Sequence, residues 1–125
     1  MNLLLDTHIL LWVMQDAPQL GRAARRLLAD AEAVHVSAIS LWEIAIKCAL
    51  GKLRVDQDAL DAQLDKIGFA PLAVSWAHAQ AARRLPPLHV DPFDRMLVAQ
   101  AQCEPLHLVT HDAALKAYSD LVVAV

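Results

Sequence analysis

Short apolar runs alternate along this chain with stretches in which apolar residues recur every three or four positions, a pattern that predicts strands alternating with helices. Residues 2–5 read as a strand and residues 7–14 as a helix. Pro18 stands just ahead of a second amphipathic helix, about residues 20–31, with Arg22, Arg25 and Arg26 sharing one face. Residues 34–37 form a short strand, and residues 40–50 a helix closed by Gly51. A polar-faced helix follows over 56–67, then a strand over 69–74, then a helix that Ser75 can cap and that runs to about Arg84. Pro86-Pro87 forces an extended connection. Asp91-Pro92 starts the next helix, with Asp91 as N-cap and Pro92 at the first helical position. A strand over 106–109, a short helix over 112–118 and a last strand over 121–125 complete the pattern.

Mostly uninterrupted apolar strands between helices indicate an α/β fold, a mainly parallel sheet of about five strands covered on both faces. No repeat, low-complexity stretch or linker divides residues 1–125, so a single domain is expected. Ligands of such sheets bind at the carboxyl ends of the strands. Asp6 and Asp112 lie just beyond two of these ends, and the helices that bear Glu43 and Asp94 can begin facing the same edge.

Each acid also has a plain structural explanation. Ser40-x-x-Glu43 matches a capping box, which would put Glu43 in the opening turn of a helix. Asp94 and Asp112 can each stabilise a helix start. Asp6 is harder to explain in this way, because it directly follows Leu3-Leu4-Leu5 and an unpaired buried charge is costly. Four converged carboxylates repel one another unless a hard cation binds them. The set therefore points to a metal-dependent phosphodiesterase.

Neighbouring residues fill out this site. Thr7 and Thr110 adjoin acids and can bind a carboxylate or a water. His8, His89 and His111 lie near acids in sequence and can touch phosphate or orient water, whereas His35, His78 and His107 read as structural or surface residues. Arg83, Arg84 and Arg95 are the candidates for gripping a phosphate backbone, with a solvated surface the plain reading of the first two. Trp12, Trp42 and Trp76 read as core or interface residues.

Composition narrows the function classes. A hydrophobic fraction of 57% and a mean hydropathy of +0.35 are high for a domain of 125 residues and suggest self-association. The longest apolar run, residues 9–14, is far below the roughly 18 residues needed to span a bilayer. The opening Met-Asn-Leu-Leu-Leu lacks the basic residues of a signal peptide and is stopped by Asp6. Cys48 and Cys103 fall in apolar helical patterns and read as buried free thiols, which fits a reducing cytoplasm. A net charge of −3 argues against binding nucleic acid by bulk electrostatics, but not against an enzyme whose metal reverses the local sign.

Four segments carry a resemblance to a known family: LLDTHILLW, SAISLWEIAIKCALGKL, LPPLHVDPFDRMLVAQA and LVTHDAAL. In this order they resemble the PIN-domain ribonucleases, specifically the VapC toxins of type II toxin–antitoxin pairs, and they cover the chain almost end to end. The resemblance implies catalytic roles for Asp6, Glu43, Asp94 and Asp112, with Asp6, Asp94 and Asp112 holding Mg²⁺ or Mn²⁺. It implies an accessory role for Asp91. It further implies an endoribonuclease acting on structured RNA such as tRNA or ribosomal RNA, a homodimer, and neutralisation by a cognate antitoxin. A catalytically silent interaction module is the alternative. A phosphoacceptor receiver domain needs an acidic pair after the first strand and a lysine ending the last, and this chain has neither.

Overall fold

The computed structural model describes all 125 residues. Its elements are β1 (Asn2–Leu5), α1 (Thr7–Met14), α2 (Arg22–Asp30), β2 (Ala33–Ser37), α3 (Ala38–Ala49), α4 (Gln57–Ile67), β3 (Ala70–Leu72), α5 (Trp76–Arg84), α6 (Pro92–Cys103), β4 (His107–Thr110), a 3₁₀ turn (Ala113–Ala117) and β5 (Val122–Ala124). The five strands form one sheet in the order β3-β2-β1-β4-β5. All four pairings are parallel, so the sheet expected to be mainly parallel is wholly so.

β1 is the central strand, and its three leucines explain the layering. Successive side chains of a strand point to opposite faces. Leu3 and Leu5 therefore join Ile9, Leu10, Ala24, Ile44 and Leu60 in a core under α1–α4. Leu4 joins Leu97, Val98, Leu108, Leu115 and Val122 in a second core under α6 and the 3₁₀ turn. None of the three leucines is exposed, and burying each contributes about 1.5–3 kcal/mol. A strand buried on both faces reads as a continuous apolar run, which is why the pattern was legible.

The chain runs from β1 to β2 on one side, and later places β4 on the other side of β1. The crevice between β1 and β4 is thus the point where strand order reverses, where open parallel sheets bind ligands. Asp6 follows β1 there, and its backbone N–H donates to the Val109 carbonyl of β4 at 2.9 Å.

Two local expectations are corrected. The third helix starts at Ala38, and its N-cap is Ser37, whose hydroxyl accepts from the Ile39 N–H. Glu43 therefore lies in the second turn of α3, not in the capping turn. The thiols also differ from expectation: Cys48 is half-buried and Cys103 is exposed. No helix is long and apolar enough to cross a membrane.

Candidate metal centre

Asp6 is the N-cap of α1 and is only 4% exposed. Its Oδ1 accepts from the Thr7 N–H at 2.6 Å, and its Oδ2 accepts from the Thr110 hydroxyl at 2.6 Å. One oxygen is thus held by the backbone of α1 and the other by a side chain at the end of β4. Burial raises the Asp6 carboxyl above the usual carboxylate range, against the lowering effect of these hydrogen bonds.

Asp94 comes from the first turn of α6, where Asp91 caps the helix by accepting from the Phe93 and Asp94 N–H groups. Burial pushes the Asp94 carboxyl up to about 6, and the charges of Asp6 and Asp91 push in the same direction. Asp112 caps the 3₁₀ turn through Oδ1, which accepts from the Ala114 N–H. Its own N–H donates to the Thr110 hydroxyl at 3.0 Å. Thr110 therefore links Asp6 to Asp112.

These three aspartates line one cleft of about 350 Å³ together with His8, Trp12 and His111. His89 approaches from the Pro86-Pro87 loop. Its Nε2 donates to Asp94 Oδ2 at 2.9 Å and stands 3.8 Å from Asp112 Oδ2. Donor atoms of His89, Asp94 and Asp112 all lie within 4.8 Å of one another, a span that a single ion can bridge. The donors are mainly carboxylate oxygens, which suit hard divalent cations. The Asp94 carboxyl, raised first by burial and then by the charges of Asp6 and Asp91, is one that a bound cation would ionise.

Glu43 stands behind this cleft and does not line it. It is 3% exposed, and both of its oxygens are engaged. Oε1 accepts from the Thr7 hydroxyl at 2.7 Å, which also bonds Ser40 Oγ at 3.0 Å. Oε2 accepts from Lys47 Nζ at 2.6 Å. Lys47 is held above its usual range, first by that bond and then by the fields of Glu43, Asp91 and Asp94. Sequence reasoning missed Lys47, although its i,i+4 spacing from Glu43 on a helix was an available signal.

The basic residues divide. Arg83 and Arg84 are exposed in the last turn of α5. Arg95 departs from the expectation of a phosphate grip. Its Nη1 donates to Pro86 O at 3.1 Å and to Tyr118 Oη at 3.2 Å, and its Nη2 to Ala82 O at 3.0 Å and Leu85 O at 3.3 Å. The guanidinium fastens the loop that carries His89. Trp12 is half-buried, packed against the core on one side and lining the cleft on the other, while Trp42 and Trp76 are 60% and 88% exposed.

Comparison with known proteins bears on the fold and the family. No curated protein matches the sequence. Among solved structures, VapBC2 from Rickettsia felis, bound to a DNA fragment from its promoter, is similar with a TM-score of 0.68 and 19% identity, covering 100% of this chain and 98% of that one. A toxin–antitoxin complex from Klebsiella pneumoniae has a TM-score of 0.67 and 22% identity, covering 97% and 95%. FitAcB from Neisseria gonorrhoeae has a TM-score of 0.69 and 19% identity, covering 98% and 96%. These likenesses establish a shared fold. The PIN domain family itself matches residues 3–121, which takes in every acid of the cleft, and the chain belongs to that family.

Proposed function

We propose that this chain is a metal-dependent endoribonuclease that acts as the toxin of a toxin–antitoxin pair. The observation that carries the reading is the convergence of Asp6, Asp94 and Asp112 on one cleft at the β1/β4 crevice. The toxin assignment draws on structural neighbours from toxin–antitoxin complexes, of whose matched chains this chain covers 98% and 95%. A cognate antitoxin, a homodimer and a cytoplasmic site of action belong to the same reading.

Asp6, Asp94 and Asp112 would hold Mg²⁺ or Mn²⁺. When bound, such an ion acidifies a water and offsets charge on the scissile phosphate. The chain supplies the rest. Thr7 and Thr110 fix both oxygens of Asp6, which holds this carboxylate in one orientation beside the cleft. Lys47 neutralises Glu43, and Glu43 fixes the Thr7 hydroxyl, so this pair acts as a positioning device behind the cleft. Asp91 sets the position of Asp94 by capping α6. Arg83 and Arg84 would meet the phosphates of an RNA, tRNA or ribosomal RNA being the expected targets.

The test is incubation of total cellular RNA with purified protein and Mg²⁺ or Mn²⁺, beside EDTA and the Asp94→Asn variant. Discrete cuts that vanish in both controls are expected. Cuts that persist in EDTA would overturn the metal-dependent reading.

A further inference from the structure

Half of the residues that line the acid cleft carry aromatic rings. His8 and Trp12 stand one helical turn apart on α1 with ring centroids 6.4 Å apart. Trp12 meets His111 edge to face at 5.1 Å. All three line the same cleft as Asp6, Asp94 and Asp112. His8 and His111 are exposed, and Trp12 keeps part of its indole open while packing its inner part against the core. His111 is fixed by the bond from its Nδ1 to the Val125 carbonyl at 2.8 Å. Neither the metal chemistry nor the packing of the core requires three such rings at the mouth of an acidic cleft.

We propose that His8, Trp12 and His111 form a stacking subsite for one nucleobase, adjoining the phosphate that the acids receive. The proposal rests on the nuclease reading above and adds to it how the substrate is gripped. Aromatic faces hold nucleobases without demanding a particular base, because every base has a π face. A base can reach these rings only when it is turned out of a helical stack, so the nucleotide held here is unpaired. The cleft, about 350 Å³, suits one nucleotide and lies at the low end of small-ligand sites. With a chain charge of −3, stacking also supplies grip that bulk electrostatics do not.

The test uses a ten-nucleotide oligoadenylate RNA and a ribose-phosphate chain of the same length and charge that lacks bases. Binding is measured by anisotropy with the full-length protein in Ca²⁺, which takes the same oxygen donors. The wild type is expected to bind the base-bearing chain more tightly. Trp12→Leu is expected to weaken that binding about tenfold, within the range for loss of one stacked base, and to leave the abasic chain unaffected. Because Trp12 is partly buried, His8→Ala serves as the second variant, at an exposed position, and is expected to weaken only the base-bearing chain. In a Trp42→Phe, Trp76→Phe background, the remaining Trp12 emission is expected to be quenched by the oligoadenylate alone.

Equal weakening of both chains, or no difference between them in the wild type, overturns the subsite. If this occurs while total RNA is still cut in Mg²⁺, the nuclease reading stands and the stacking proposal falls alone. Absence of both binding and cutting overturns the two together.

Discussion

Thr110 donates its hydroxyl to Asp6 Oδ2 at 2.6 Å across a sequence separation of 104 residues. The Thr110 hydroxyl oxygen also accepts the Asp112 N–H, so one side chain sets two of the three acids that line the cleft. Replacement by valine keeps the shape and removes both bonds. Thr110→Val is expected to lower unfolding stability by about 1–3 kcal/mol, because a buried carboxylate oxygen is left without its donor. Cleavage is expected to fall by about tenfold or more, as happens when residues behind metal ligands are lost. Urea denaturation beside a cleavage assay checks both, and an unaffected cleavage rate would contradict the ligand role of Asp6.

Asp94 makes stability depend on pH in a definite direction. Its carboxyl is near 6 in the folded protein and near its ordinary 3.8 when unfolded. Between these values the folded state binds the extra proton, so the metal-free protein becomes less stable as pH rises from about 4 to 6. The raised Asp6 carboxyl adds to the same trend. Asp94→Asn is expected to flatten this slope and to be as stable as wild type or more so at pH 7. Thermal unfolding in EDTA across this window measures it. Marked unfolding of the variant would instead favour a purely helix-stabilising role for Asp94.

Lys47 and Glu43 are expected to behave as a coupled pair. Lys47→Met strands the charge of a carboxylate that is almost wholly buried. A loss of about 2 kcal/mol is expected, below the value for a fully buried pair because the ammonium is partly solvated. Adding Glu43→Gln should recover most of that loss. A double-mutant cycle in urea gives the coupling directly, and additive effects would show that the contact carries no energy.

Arg95 is expected to act through the loop over residues 85–91. Arg95→Lys keeps the charge but loses the planar fork that reaches five acceptors, so it should not rescue Arg95→Ala fully. The alanine variant is expected to lose about 2–3 kcal/mol and amide protection at Leu88. Hydrogen exchange provides the readout, since the Leu88 N–H bonds the Pro86 carbonyl within that loop.

The sheet and three of the four acids were legible because their signals are local. Leu3-Leu4-Leu5 before Asp6 shows a doubly buried strand meeting a charge, and Asp91-Pro92 marks a helix start that carries Asp94 with it. Glu43 was placed wrongly within its helix because Ser37 and Ser40 both offer cap hydroxyls. Ser40 is in fact used by Thr7, 33 residues away, which no local pattern reveals. Trp12 sits in an apolar run that resembles core, and its contact with His111 exists only once β4 has docked beside β1. Arg95 stands beside Asp94 in sequence, yet all but one of its acceptors are carbonyls, which leave no trace in side-chain patterning.

The span between Asp6 and Thr110 also has a consequence for timing. Contacts between residues so far apart in sequence close the longest loops and form late. A chain interrupted before β4 has the first acid but neither the threonine that fixes it nor the acid that follows, so fragments and half-folded intermediates hold no assembled cleft. The acidic cleft is in this way withheld until folding is nearly complete.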